Sequence, residues 1–243
     1  MTVALVQTAT PGIGATSPTC TFASAPTSGN KIIIATTTQQ GADPDAPTPP
    51  SGFTLSFEVN DSSRKFCVWH KQAGGSEGTS YAPSANGGAN QTFGWEVSGL
   101  LDTDDVATLV DNGTFGRTTG SVATSLLGPL PSVPVAGLFL VAGLSPGNTV
   151  SAPAFSNSFT GLIQHDDRGF VAHRIDTTAT STTPETTATW TTSRFSAGAL
   201  VAFRATASTT AGWNRVTSGG LAPGAWHRVG GSGLVAGSFV TEA

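Results

Sequence analysis

The sequence predicts an all-β protein: a jelly-roll-like antiparallel β-sandwich followed by a C-terminal arm of two short β-hairpin repeats. Threonine, which prefers extended backbone, is the main polar residue, with 37 copies among 243 residues. The 30 glycines and 15 prolines would interrupt long helices. Short strand-like runs recur, whereas almost no window carries apolar residues at helical spacing.

Ten runs have the length and pattern of strands, and Gly, Pro, Asn or Asp separates nearly every pair. They are Val3–Thr8, Lys31–Thr37, Phe53–Val59, Lys65–Lys71, Gln91–Val97, Gly137–Gly143, Phe155–Gln164, Gly169–Ile175, Thr186–Thr192 and Ala197–Arg204. The stretch from Gly99 to Val110 is predicted to be a loop with at most one helical turn, because it is short and rich in aspartate.

The order of these runs suggests an internal duplication. KIIIATTT, PSGFTLSF, KFCVWHKQA and QTFGWEVSGL are followed by AGLFLVAGL, APAFSNSF, GFVAHRID and AGALVAFRA at similar steps. We therefore expect a sandwich over residues 1–205, made of two related four-strand units at about 1–110 and 135–205. A Gly/Thr/Ser-rich linker from Asp111 to Pro134 would join the two units.

Strands such as IIIA and LFLVA read apolar on both faces and need cover on each side. Two antiparallel sheets packed face to face would supply it. Trp69, Trp95 and Trp190 are expected in or near the core.

The last segment, residues 206–243, carries a repeated pattern. Trp213-Asn-Arg-Val-Thr-Ser-Gly-Gly-Leu221 is followed by Trp226-His-Arg-Val-Gly-Gly-Ser-Gly-Leu234. Each copy reads as a short strand, a glycine turn and a second short strand, with too few large residues for a core. Because Trp and Arg are enriched at binding hot spots, we expect a partner interface here. Its residues would be Trp213, Arg215, Val216, Leu221, Trp226, Arg228, Val229 and Leu234. The alternative is that both hairpins cover an open sheet edge of their own subunit.

Charge and composition exclude several classes of protein. With a net charge of −4 and 11 Lys and Arg, the chain lacks the clustered basic face of a nucleic-acid-binding protein. No apolar run approaches the roughly 20 residues of a membrane span, and the N-terminus lacks signal-peptide features. We expect a soluble chain made in a cytoplasm, with no cofactor. Cys20 and Cys67 are expected to be buried free thiols.

Gly74-Gly75-Ser76-Glu77-Gly78 matches the G-x-S-x-G pattern of a nucleophile elbow and follows a predicted strand. The elbow requires a helix next, and TSYAPSANGGAN cannot form one. A flexible hairpin loop is the preferred interpretation. Glu58 and Glu96 are the acidic residues predicted on strands, but strand alternation places Glu96 on the opposite face from Trp95. We interpret Glu96 as an outward-facing glutamate and expect no enzyme.

Metal sites have weak signals in this sequence. His165 and His173 could approach each other across a hairpin that has Asp166 and Asp167 at its turn, so a zinc or calcium site is conceivable. Exposed turn residues beside strand-borne histidines are the simpler interpretation. The cluster Asp102, Asp104 and Asp105 lacks the glycine and distal glutamate of a calcium loop.

The order of motifs over residues 3–205 resembles β-sandwich proteins encoded by tailed bacteriophages, often called minor tail or tail-fibre-like proteins. The resemblance rests on VALVQTATPGIGATSPTCTFASAPTSGNKIIIATTT, PSGFTLSF, VWHKQAGGSEG, GWEVSGLLDTDD and GALVAFRA. It implies core and turn roles for Trp69, Lys71, Trp95, Ser98, Gly99 and Leu100. The glutamate of the family's W-x-x-E pattern appears early here, as Glu96, which directly follows Trp95. The paired W-x-R-V segments resemble short repeats at the ends of some phage appendage proteins.

The resemblance implies a non-enzymatic virion component in the tail tip or a tail fibre. Its expected partners are other virion proteins and copies of itself, with a trimer as one expected form of homo-oligomer. A capsid decoration or head-fibre protein is the alternative within this class. From another class, the alternative is a carbohydrate-binding module that contacts a host-surface glycan through exposed Trp or Tyr81 on a jelly-roll face.

Overall fold

The structure, a computed structural model, describes residues 2–14, 16–39, 47–61, 64–84, 89–106, 110–117, 122–130, 137–146, 150–165, 169–177, 183–205, 213–215, 226–230 and 233–234. The described chain is nearly all β, as the sequence predicts, and its strand pairs are antiparallel. It divides into two compact units, Met1–Thr206 and Ala207–Ala243.

The strands of the larger unit are β1 (Ala4–Thr8), β2 (Gly12–Gly14), β3 (Cys20–Thr21), β4 (Lys31–Gln39), β5 (Thr54–Asp61), β6 (Arg64–Gln72), β7 (Ser80–Tyr81), β8 (Ala89–Ser98), β9 (Val110–Arg117), β10 (Val122–Leu127), β11 (Leu138–Pro146), β12 (Ala154–Phe155), β13 (Thr160–His165), β14 (Gly169–Asp176), β15 (Thr186–Arg194) and β16 (Ser196–Arg204). The smaller unit contains β17 (Trp213–Arg215), β18 (Trp226–Gly230) and β19 (Gly233–Leu234).

Two large sheets form the centre of the larger unit. The first has the order β5-β6-β4-β8-β1, with β2 also paired to β8. The second has the order β13-β14-β11-β16-β9. β4 and β11 occupy the middle of their sheets, which explains why both strands are apolar on both faces.

The two large sheets pack face to face through one shared apolar cluster. Ile33, Phe66 and Trp95 of the first sheet meet Phe139 and Val201 of the second within it. Alternation along each strand places every second residue in this cluster. The fit is close at Gly143, because a Cβ atom there would overlap the ring of Phe66.

Different structures cover the outer faces of the two sheets. The outer face of the first sheet, including Ile32 and Trp69, packs under the segments that contain β3 and β7. The outer face of the second sheet, including Leu140 and Leu200, packs under a three-stranded sheet of order β10-β15-β12. Trp69, Trp95 and Trp190 are all buried, one in each apolar cluster, as predicted.

Two predictions about the strands are wrong. The segment from Asp111 to Pro134 was expected to be a linker, but it includes most of β9 and all of β10. β9 pairs with β16 at the edge of the second sheet, and β10 pairs with β15. The single strand expected over Phe155–Gln164 is divided into β12 and β13, which pair with different neighbours. A turn separates them, with positive φ at Asn157 and Ser158.

In the smaller unit the W-x-R parts of the two repeats pair with each other. β17 runs antiparallel to β18, and β18 continues into a hairpin with β19. Val216 and Leu221 lie outside the described residues.

Candidate functional site

A cluster of buried polar side chains lies beneath the segment Leu100–Val106, here called the junction segment, which leads from the first sheet towards the second. Leu100 forms a bridge with Ala205, and the Leu101 amide donates to the Arg204 carbonyl at 3.1 Å. Leu101 and Val106 pack against the shared apolar cluster. The segment therefore contacts both halves of the sandwich, as a short non-strand connection like the predicted loop.

Lys31 attaches the junction segment to the first sheet. Its ammonium group, on a side chain only 1% exposed, donates to the Thr103 carbonyl and to Asp104 Oδ1, the latter at 2.9 Å. Burial lowers the pKa of Lys31, and the bond to Asp104 opposes that shift. A buried ammonium needs such partners, since an unpaired charge in the interior is very costly.

His70 connects β5, β6 and the junction segment. Its Nε2 lies 3.1 Å from the Asp104 carbonyl oxygen, which can only accept, so Nε2 carries the proton. Its Nδ1 then accepts from the Ser56 hydroxyl at 2.7 Å. Burial, together with the nearby Lys31 charge, lowers the pKa of His70, so the ring is neutral at pH 7.

A β-bulge places Ser56 against His70. Thr54 pairs with His70 and Phe57 pairs with Val68, so one residue of β5 is extra between those pairs. Ser56 is turned inward at the bulge, towards His70, while Leu55 is 43% exposed. A serine hydroxyl that donates to an imidazole is the arrangement found in activated nucleophiles. Here, however, His70 is fully buried and Ser56 is 7% exposed. The hydrogen bond between them therefore serves to hold β5 and β6 together.

His173 occupies the same place in the second sheet. Thr160 pairs with His173 and Ile163 with Val171, so β13 has the same kind of bulge beside an inward-facing histidine. Gly161 stands at this bulge with φ of +60°, and a Cβ atom there would overlap the imidazole. The ring stacks on Phe139 with centroids 5.5 Å apart, and its buried Nδ1 has no hydrogen-bond partner among the described residues. Burial lowers the pKa of His173.

Glu96 is buried, contrary to the outward and solvated position that the sequence suggested. It does lie on the opposite face of β8 from Trp95, but the segment before β4 covers it. Its carboxylate accepts from Gln7 Nε2 at 2.6 Å, from the Thr27 amide at 2.8 Å and from Asn30 Nδ2 at 2.5 Å. These bonds lower the pKa of Glu96 although burial alone would raise it. The carboxylate thus holds the covering segment on the first sheet.

The G-x-S-x-G segment is a turn braced by its own glutamate. The Glu77 carboxylate accepts from the Gly74 amide at 3.0 Å, from Lys71 Nζ at 3.0 Å and from the Tyr81 hydroxyl at 3.1 Å. Ser76 is exposed, and β7 rather than a helix follows among the described residues. Glu58 is exposed on β5. Glu58, Ser76 and Glu96 therefore lie in three different environments: an exposed strand position, an exposed turn and a buried strand position.

The possible metal site at the β13–β14 hairpin is not assembled by the described strands. His165 pairs with Gly169 and His173 pairs with Thr160, so the two histidines lie at opposite ends of the strand pair. Asp166 and Asp167 lie outside the described residues. Within the described part of the chain, no group of three or more His, Cys, Asp or Glu side chains could hold a metal ion.

The Trp and Tyr side chains that could form a sugar-binding face in the larger unit are buried, so they are not available to stack on a sugar ring. Tyr81 is 7% exposed and packs edge-on against Phe22 and Phe53, while Trp69, Trp95 and Trp190 are at most 5% exposed. Cys20 and Cys67 are buried free thiols, as predicted, and burial raises the pKa of Cys20 to about 12.

The sequence pointed to the arm and missed the cluster beneath the junction segment. Of the predicted interface residues, the structure places Trp213 and Arg215 on β17, Trp226, Arg228 and Val229 on β18, and Leu234 on β19. Lys31 and Ser56 were not singled out, because lysine is mostly exposed unless it is paired and the run KIIIA contains no sign of a partner.

Comparisons with family models, curated proteins and solved structures found no match to the chain. None of the described residues belongs to a helix long and apolar enough to cross a membrane.

Proposed function

We propose that each half of the larger unit is a jelly roll and that the two halves derive from one duplicated unit. The eight strands of the second half are β9 to β16. In its large sheet the first strand (β9) pairs with the eighth (β16), the eighth with the third (β11) and the third with the sixth (β14). The second, seventh and fourth strands (β10, β15 and β12) form the smaller sheet. Those neighbours are the ones that two consecutive Greek keys produce. The first half has the same order in its large sheet when β2, a three-residue strand that pairs with β8, is left out of the count. A bridge between Thr48 and Ser84 then takes the place of β12. The fifth strand departs from the pattern, since it joins the sixth in the large sheet.

We further propose that the protein is a non-enzymatic structural component of a bacteriophage virion, in the tail tip or a tail fibre. The observation that carries this proposal is the use made of the buried ionisable groups. Lys31, His70 and Glu96 each bond to a connection that crosses a sheet face, and so act as fasteners. Such fastening suits a rigid building block, and jelly rolls are common in viral coats. The motif order that resembles phage tail proteins supports the same role.

The arm would supply contacts between subunits. It is a separate compact unit whose sequence repeats a Trp/Arg pattern, and these residue types are enriched at binding hot spots. Truncation after Thr210 tests this role. Residues 1–210 should melt close to the temperature of the whole chain but fail to enter particles, whereas early melting or aggregation of the truncated chain would mean that the arm is a structural cover.

Particles of the phage that encodes the chain provide the test of location. Mass spectrometry of purified virions should detect the protein, and gold-labelled antibodies should mark the tail. Labelling of the head would move the assignment to a decoration or head-fibre protein. Absence from particles, together with cleavage of cell-wall polysaccharide or esters by the purified protein, would refute the structural role.

A further inference from the structure

The arm contains a strand whose motif matches that of its own neighbour. Among the described strands, β17 pairs only with β18, so β17 stands at an edge of the described sheet β17-β18-β19. An edge strand presents backbone donors and acceptors that can receive a further strand.

The register of β17 and β18 shows how two W-x-R segments fit together. Trp213 stands opposite Arg228, Arg215 opposite Trp226, and Asn214 opposite His227. Since positions two apart share a face of a strand, the two Trp and two Arg positions lie on one face. Antiparallel pairing of W-x-R with W-x-R therefore sets a Trp opposite an Arg at each end, a combination favoured by cation–π attraction. The motif is complementary to itself.

We propose that β17 of one chain pairs antiparallel with β17 of a second copy, about a two-fold axis at Asn214. Trp213 would then stand opposite Arg215 of the partner subunit, by the same rule that β17 and β18 follow within one chain. The two arms would form one continuous sheet with alternating Trp and Arg positions across a face. This contact is isologous, because each chain offers the same residues to the other.

A second copy of this chain is the occupant that the register specifies. A strand added to β17 must present Arg opposite Trp213 and Trp opposite Arg215, and β17 itself meets that requirement when reversed. A second β17 in the other direction would place the two Arg215 residues side by side. Like charges at paired positions are unfavourable, so this arrangement is disfavoured. The inference rests on the proposed role of the arm as an interface but not on the virion assignment, so it is tested in purified protein.

Charge at the two-fold axis gives a direct test with the full-length chain. Asn214→Asp and Asn214→Lys each place two like charges directly opposite each other across the axis. Each variant alone should raise the dimer dissociation constant by about fivefold or more, measured by sedimentation velocity over a concentration series. An equimolar mixture should restore dimerisation as a mixed dimer, because aspartate then faces lysine.

His227→Asp is the matched control. It places a charge on the neighbouring strand, opposite Asn214 within the chain and away from the axis, so the dimer should persist. Recovery in the mixture also shows that the two Asn214 variants retain a folded arm. A monomeric wild-type protein, dimers unaffected by either Asn214 change, or failure of the mixture to recover would each overturn the proposal. Failure here would leave the particle assay for the virion role unaffected.

Discussion

The two halves of the larger unit share a strand order but secure their outer layers by different means. In the second half, a three-stranded sheet covers the large sheet and buries Leu127, Ala188 and Trp190 against it. In the first half, β3 and β7 pair over only two residues each, and the covering segment is held by polar bonds to Glu96. Where the cover has less sheet of its own, a buried carboxylate supplies the attachment.

The halves also differ in how they accommodate an inward-facing histidine beside a bulge. His70 has hydrogen-bond partners on both ring nitrogens, whereas the buried Nδ1 of His173 has none within the part of the chain that the structure describes. The difference follows from the residues at the two bulges, since Ser56 supplies a hydroxyl and Gly161 supplies only space. One topology therefore carries a satisfied polar network in one half and an aromatic stack in the other.

Removing a side chain shared by both halves should have the largest effect. Phe66 projects from the first sheet onto Gly143 of the second, so Phe66→Ala opens a cavity in the common cluster. We expect a loss of about 3–5 kcal/mol in the free energy of unfolding. Because the cluster is shared, β4 and β11 should lose hydrogen-exchange protection together. Faster exchange confined to the first half would show that the halves are energetically independent. Phe155→Ala, in the outer cover of the second half, should cost less.

Glu96→Gln should be the next most costly change, because it tests the polar attachment of the first half. A glutamine would present an NH₂ group to Gln7, Asn30 and the Thr27 amide, all of which are donors to the carboxylate. Loss of charge-assisted bonds and a donor–donor conflict should cost about 2–4 kcal/mol. Glu58→Gln, at an exposed site on the same sheet, should change stability by less than about 0.5 kcal/mol. Equal effects of the two changes would contradict the fastening role.

The attachment through Glu96 should also weaken in acid. Its pKa in the folded state lies below the ordinary value of 4.5, so its contribution is present above that pH and is lost as the pH falls further. The difference in stability between wild type and Glu96→Gln should therefore shrink below about pH 4.5.

Local sequence pattern predicted the large sheets well because their strands bury one or both faces. The apolar runs KIIIATTT and LFLVAGL, for example, predict β4 and β11 directly. β9 was missed because its sequence, VDNGTFGR, contains Asp, Asn and two glycines, residues that strands disfavour. Its strand conformation depends on pairing with β16, which lies some eighty residues further along the chain. Pairing across such a distance leaves no local signal.

The candidate site was harder to predict than the fold. Alternation placed Glu96 on the correct face of β8, but the segment that buries it is a loop with no periodicity. The contact between Ser56 and His70 depends on a bulge, and an extra residue in a strand cannot be recognised from alternation alone. Sequence patterns thus specify faces, whereas partners depend on tertiary contacts.

Ser56→Ala should make the first half resemble the second. The change leaves Nδ1 of His70 buried without a donor, as it is in His173, while Nε2 keeps its bond to Asp104. We expect a loss of about 1–2 kcal/mol, the cost of one buried acceptor without a partner. Ser56→Thr, which keeps the hydroxyl, should cost less if the extra methyl group fits. Denaturant unfolding at pH 7 measures both, and a neutral Ser56→Ala would mean that the hydrogen bond adds no net stability.

His173→Phe should have the smallest effect, and that effect should depend on pH. Burial holds the folded-state pKa of His173 below its ordinary value of 6.5. Above pH 6.5 the ring is neutral in both states, so the histidine causes no pH dependence there. As the pH falls below 6.5, the unfolded chain binds a proton that the folded chain refuses. Stability then declines by up to about 1.4 kcal/mol per pH unit for each such histidine, until the folded-state pKa is reached.

Phenylalanine at position 173 keeps the stack on Phe139 and removes the unpartnered Nδ1. We therefore expect a variant at least as stable as wild type at pH 8, with a shallower decline between about pH 6.5 and 5. Urea unfolding across that range measures the slope. His70 remains in the variant and retains its own decline, so an unchanged slope would show that His173 takes up its proton equally in both states.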